Sequence, residues 1–292
     1  MTKKKNKKPL AIKKRHVILT IISIFLLCST VEYIEFLILK TDQTFLAENV
    51  ICKLFVVAVL YVALKKYHWR WSDIGFRAKG ICKSALFGLS LGVSTFFISY
   101  AVELISLHAM GQTATVRFFI SNFALTGQNV MGVSFAAILI CILGNILNVW
   151  AEESLFRGLF FKLAKQSFSV RGSNFFQALL FGMWHIVMVV EWVLDGSMNI
   201  PTAVIMALGY VLLAGVLAYE WGLCFTLTGT IWAGVFEHFF NNFITNSVHV
   251  VTVGGIDELQ ILRIVLSNIL SLTFVLLLSR RKRKLAAQRL TR

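Results

Sequence analysis

Stretches of apolar residues long enough to cross a lipid bilayer recur along almost the whole chain, and they fix the solvent in which it folds. A helix crosses a hydrocarbon core of about 30 Å in roughly 20 residues. Eight stretches meet that length: Val17 to Leu39, Asn49 to Leu64, Ile81 to Leu104, Val133 to Leu163, Asn174 to Leu194, Thr202 to Tyr219, Leu223 to Thr245 and Leu259 to Leu278. With 57% hydrophobic and 15% charged residues among 292, and a mean hydropathy of +0.75, the composition excludes an ordinary soluble domain. The expected fold is all-α and polytopic. Only two prolines occur and the apolar material runs end to end, so residues 1–292 read as one transmembrane domain.

A formal charge of +15 would suggest a nucleic-acid partner in a soluble protein. Here the basic residues lie in clusters between apolar stretches, as topology signals do, and no nucleic acid is expected. The first cluster is Lys3, Lys4, Lys5, Lys7, Lys8, Lys13, Lys14 and Arg15, and the last runs from Arg280 to Arg292. Both termini are therefore expected in the cytoplasm of a cell membrane. Alternate loops agree: Lys65, Lys66, Arg70, Arg77, Lys79 and Lys83, then Lys162, Lys165 and Arg171, fall on the cytoplasmic side. Lys40, Lys53, Arg117 and Arg263 fall toward the outside. The stretch Val17 to Leu39 is too long for a signal-peptide core and precedes no A-x-A-like site, so it reads as a retained span. The basic chain with short loops reads as bacterial. Cys28, Cys52, Cys82, Cys141 and Cys224 sit in or beside apolar stretches without C-x-x-C spacing, and are expected as free thiols.

Charge at bilayer depth is costly and usually functional. Three spans carry it: Glu152, Glu153 and Arg157 on the fourth, His185 on the fifth, Glu237 and His238 on the seventh with Asn241 and Asn242 beyond. Counted from the cytoplasmic ends at 1.5 Å per residue, Glu152 lies about 15 Å deep, His185 about 16 Å and His238 about 22 Å. Glu153 and Arg157, at i and i+4, are expected to pair, leaving Glu152 about 100° round the helix to face another partner. Asn145 and Asn148 share the face of Glu152, and His238, Asn242 and Asn246 form a second polar stripe. A carboxylate and an imidazole at depth can hold and deprotonate a water, and a second His with an Asn one turn on can present donors to an oxyanion. The set suits addition of water to a carbonyl.

At these residues the chain resembles the CAAX protease and bacteriocin-processing family of intramembrane proteases, also called the Abi family. The motif Glu-Glu-x-x-x-Arg matches Glu152-Glu153-Ser-Leu-Phe-Arg157, Phe-x-x-x-His matches Phe181-Gly-Met-Trp-His185, and His-x-x-x-Asn matches His238-Phe-Phe-Asn-Asn242. The resemblance covers the motif-bearing core, residues 133–246. It implies eight spans around a conical intramembrane cavity and an endopeptidase acting on a peptide or membrane-anchored protein. It further implies water activation by Glu152 and His185, an oxyanion site at His238 and Asn242, and support from Glu153, Arg157 and Phe181. Relatives have been described both as metalloproteases and as glutamate-dependent enzymes. Zinc, if bound, would take Glu152, His185 and His238, although no H-E-x-x-H helix and no thiolate set is present.

Other polar residues read more plainly. Glu32, Glu35 and Glu103, and likewise Glu191 and Asp195, lie near outer span ends where snorkelling costs little. His16, His68, His108 and His249 read as solvated, Glu237 as a structural hydrogen-bonding residue, Pro201 as a loop residue, and Trp69, Trp71, Trp192 and Trp221 as an interfacial belt. Two other functions compete: a proton-coupled transporter, which also uses buried carboxylate and histidine, and a catalytically silent immunity or scaffold protein.

Overall fold

The computed structural model describes residues 14–41, 44, 49–121 and 130–290. Most of the N-terminal basic cluster, from Lys3 to Lys13, and Arg292 lie outside the described residues. The first span is α1 (Lys14–Ile34), which continues as a wide π turn over Glu35–Leu39. There follow α2 (Val50–Tyr67), a 3-10 turn at Trp71–Ile74, and α3 (Ile81–Ala109). Next come the strands β1 (Thr115–Phe118), β2 (Ile120–Ser121) and β3 (Val130–Gly132). Helix α4 (Phe135–Glu153) runs through a π turn at Ser154–Phe160 into α5 (Phe161–Ala164). Then come α6 (Val170–Trp184), α7 (Ile186–Leu194), α8 (Ile200–Thr228), α9 (Trp232–Ser247), β4 (Val248–Val251) and α10 (Gln260–Leu290).

Each of the eight expected spans is helical, and among the described residues six helices are long and apolar enough to cross a membrane. The other two are α2, which carries Lys53, Lys65 and Lys66, and α9, whose 16 residues reach only about 24 Å. Helix α9 is short and polar because its surroundings are protein: it packs against α3, α4 and α8. At three helix starts a side chain satisfies the backbone, as burial in a membrane favours. Ser134 accepts from Ala137 N at 3.1 Å, Ser169 from Gly172 N at 3.2 Å and Asn199 from Thr202 N at 2.9 Å.

The boundary between the sixth and seventh spans differs from expectation. Helix α8 does not stop at Tyr219 but runs to Thr228 and closes on Gly229 at φ +76°, a left-handed cap that glycine adopts without strain. A Cβ at Gly222 would lie 1.7 Å from Asn174 Oδ1. That close approach accommodates Asn174 Nδ2, which donates to Tyr219 O at 2.7 Å and locks α6 to α8. His238 consequently lies six residues from the start of α9 rather than fifteen from Leu223, and His185 fifteen from the start of α6. Pro201 sits in the first turn of α8, where its missing N–H costs nothing.

The strands depart from an all-helical chain. Antiparallel β1 and β4 pair Thr115 with Val251 through Phe118 with Val248, and β2 pairs with β3. β4 leads directly into a buried polar cluster. His249 is fully buried, not solvated, with Nδ1 2.6 Å from Asp257 Oδ2. Arg263 is buried, and donates to Asp257 Oδ1 at 3.0 Å and to Glu103 Oε2 at 2.6 Å. Glu103 is therefore a buried ion-pair member, not a snorkelling residue. Glu32 and Glu35 are buried as well. Glu35 caps α2, accepting from Ile51 N at 2.9 Å and from Cys52 N.

Candidate active site

The site forms where α4 gives way to its π turn. Wide turns of this kind are frequent at functional positions, and here the interruption follows Glu153 at once, with Glu152, Glu153 and Arg157 all buried in the bundle interior. Arg157 Nη2 lies 3.3 Å from Glu153 Oε1, the expected pair. The guanidinium stacks over Phe181 at 4.1 Å and over Trp221 at 4.8 Å. Both charges of this pair are removed from solvent, so the aromatic faces supply part of what water would.

Helix α9 presents His238 to both carboxylates. Its Nδ1 lies 3.0 Å from Glu153 Oε1 and its Nε2 3.7 Å from Glu152 Oε2. The first distance is a hydrogen bond. The second is too long for one and suits a water oxygen in contact with both groups. The imidazole stacks on Trp221, with ring centroids 4.0 Å apart and planes at 18°. Trp221 is 2% exposed, so it belongs to the site and not to an interfacial belt; its misplacement followed from ending the sixth span too early. Asn242 follows His238 by one turn and is half-buried.

His185 marks the joint between α6 and α7, with φ −80° and ψ −2°, a sparsely populated backbone region in which active-site residues recur. Its Nδ1 donates to Phe181 O at 2.9 Å, leaving Nε2 for another partner. Phe181 holds the two histidines in one cluster, its ring 4.8 Å from that of His185 and 6.0 Å from that of His238. Gly182 permits the joint: a Cβ there would lie 2.4 Å from Val211 O, so α6 and α8 meet backbone to backbone.

Lys53 is the site residue that sequence reading placed elsewhere. It is 3% exposed, and its Nζ lies 2.8 Å from Glu152 Oε1. Glu152 is thus held on one oxygen by Lys53 and turned toward His238 with the other. Asn145, on the same face of α4, donates to Cys141 O at 2.8 Å.

A zinc site at Glu152, His185 and His238 would need three donor atoms converging on one point. Among the described residues, one group of three His, Cys, Asp or Glu residues has donor atoms all within 4.8 Å of one another, Glu220, Cys224 and Glu237. The expected trio is not such a group: its donor atoms, as placed, do not all lie within that distance of one another. Lys53 holds Glu152 Oε1 and the Phe181 carbonyl holds His185 Nδ1, so Glu152 Oε2 and His185 Nε2 are the atoms left to a ligand. Glu237 makes a structural hydrogen bond, accepting from Ser271 at 2.7 Å. Cys224 Sγ donates to Glu220 at 3.0 Å.

An apolar groove of about 520 Å3 opens between α1 and the α6–α7 joint. It is lined by Phe25, Ser29, Tyr33 and Leu37, and by Met183 and Ile186, which flank His185.

No curated protein and no solved structure matched the chain. Residues 134–244 match the family described as type II CAAX prenyl endopeptidase Rce1-like. That segment begins at the cap of α4 and ends two residues beyond Asn242, so it takes in all three motifs and the helices that carry them. Residues 134–244, in a bundle of membrane-length helices, are thus similar to the type II CAAX prenyl endopeptidases.

Proposed function

We propose that this chain hydrolyses a peptide bond of a membrane-associated peptide or protein with a water activated at Glu152. The carrying observation is the 3.7 Å approach of Glu152 Oε2 to His238 Nε2 in a buried site. A water touching both groups from one side gives its proton to Glu152 as its oxygen adds to the substrate carbonyl. His238, oriented through Nδ1 by Glu153, offers its second ring nitrogen to the oxyanion when protonated there, and the Asn242 amide is the second donor. As the tetrahedral intermediate collapses and the C–N bond breaks, the proton taken by Glu152 passes to the departing amine through Nε2 of His185. Glu153, Arg157 and Phe181 orient these groups and do no chemistry themselves. No step is routed through a metal. A lipid-anchored chain would enter along the groove beside His185, with the prenylated CAAX tails of the family's description as the first class to try.

The test is cleavage of a quenched peptide panel, with prenylated and leader-type members, by the protein in lipid nanodiscs beside Glu152→Gln. Cleavage by the parent and loss of at least about 100-fold in the variant is expected, since loss of a general base costs about 10²–10⁴-fold. Undiminished cleavage by Glu152→Gln would remove Glu152 from the mechanism. Activity that survives a chelator agrees with the water-only route, and chelator-sensitive activity restored by zinc overturns it.

A further inference from the structure

We propose that Lys53 is a positioning residue of the hydrolytic centre, the built-in counter-cation that holds the Glu152 carboxylate charged and aimed; this rests on the reading of Glu152 as the water-activating group. Three observations carry it. First, the Lys53 ammonium lies 2.8 Å from Oε1 with both side chains buried, and Oε2 is the oxygen that faces His238. One oxygen is fixed, so the other is aimed. Second, Lys53 is itself fixed. It stands on the first turn of α2 directly after Ile51 and Cys52, whose N–H groups Glu35 caps, and its Nζ lies 5.4 Å from the Trp184 ring centroid, one residue before His185. Third, joining α2 to α4 does not require a charge. Taking an ammonium and a carboxylate out of water is costly, and apolar residues of similar volume commonly replace such pairs without loss of stability. A cation buried in a membrane-spanning bundle points to work done on the carboxylate it faces.

The site then contains two carboxylate–cation pairs side by side, Glu152 with Lys53 and Glu153 with Arg157, and the His238 ring lies between the carboxylates. Arg157 acts on the carboxylate that orients the imidazole. Lys53 acts on the carboxylate that faces the water.

The experiment uses full-length protein in nanodiscs as parent, Lys53→Met, Lys53→Arg and Glu152→Gln, with two readouts. Cleavage kinetics on the peptide panel are expected to show kcat reduced roughly 10- to 100-fold in Lys53→Met, with KM within about threefold of the parent, the pattern of an interaction used in the transition state. Lys53→Arg, which keeps the charge, is expected to recover most of kcat. The second readout needs no substrate: a hydrophobic carbodiimide, which attacks protonated carboxyl groups, should modify Glu152 in Lys53→Met and spare it in the parent and in Lys53→Arg, as read by mass spectrometry of the peptide bearing it. Unchanged kcat in Lys53→Met, or equal modification of Glu152 in parent and Lys53→Met, overturns the proposal. If the parent cleaves nothing, the hydrolytic reading fails and the carbodiimide arm alone decides whether Lys53 holds the charge of Glu152. Lys53→Gln takes the place of Lys53→Met if the latter does not fold.

Discussion

At the scale of single residues, the site depends on buried charges meeting in pairs. Glu153 and Arg157 are both fully buried, and removing one partner of such a pair leaves the other uncompensated at a cost of about 3–5 kcal/mol. Arg157→Met should therefore lower the thermal transition of the purified protein sharply. The double variant Glu153→Gln/Arg157→Met removes both charges and should recover most of that loss. It should not recover cleavage, because Glu153 also orients His238 through Nδ1 at 3.0 Å. Recovery of stability without activity separates the two roles, and recovery of both would mean that His238 needs no such partner. This pair was legible in the sequence, since i and i+4 on a helix share a face. Lys53 was not. It lies 99 positions from Glu152, and charge counting assigns it to the outer side because nothing local tells a solvated lysine from one turned inward. Contacts of that separation are set by how α2 docks, which no period in the sequence encodes.

At the scale of elements, spans were legible and their ends less so. Apolar length located every span, but the α8–α9 turn went unread although Gly229 and the threonines around it mark a helix stop. The consequence reached the site: ending α8 at Tyr219 put Trp221 in a loop, whereas it stacks on His238. The strands were missed for a related reason, since β1 and β4 are four residues each and follow apolar helices whose hydropathy hides them. Their junction is held by Arg263, which bridges Glu103 and Asp257 and lies 4.4 Å from the centroid of Tyr100. Tyr100 donates in turn to Val248 O at 2.6 Å, tying α3 to β4. An ammonium cannot reproduce a two-pronged guanidinium contact. Arg263→Lys should therefore lower the thermal transition, and Arg263→Met should lower it further, by about 3–5 kcal/mol in stability. Cleavage measured well below the transition should stay near the parent's in Arg263→Lys, because none of these contacts reaches Glu152. A proportionate fall in both would instead place this clasp in the catalytic machinery.

At the scale of the whole molecule, the remaining question is which compartment the site serves, and the distribution of charge gives an answer that chemistry can test. Lys65, Lys66, Arg70, Arg77, Lys79 and Lys83 surround the α2–α3 connection, and Lys162 and Lys165 follow the π turn that carries Arg157. The two regions meet in space: Lys162 Nζ donates to Asp73 O at 2.9 Å and stacks on Trp69 at 4.2 Å. The basic end of α10 joins them, Lys282 donating to Leu227 O at 2.6 Å. One end of the bundle thus gathers the positive charge, the end that the charge rule predicts to be cytoplasmic, and Glu152 lies about 15 Å in from Lys162. Cys82 reports on that end. It is exposed, next to Lys83 at the start of α3, while Cys28, Cys52 and Cys224 are buried and Cys141 is half-buried. A membrane-impermeant maleimide should therefore label Cys82 in inside-out vesicles and leave it unmodified in intact cells, with Cys82→Ser abolishing the signal. Labelling in intact cells would invert the topology. Glu152 would then be reached from outside, and a substrate processed at its cytoplasmic end would no longer suit the site.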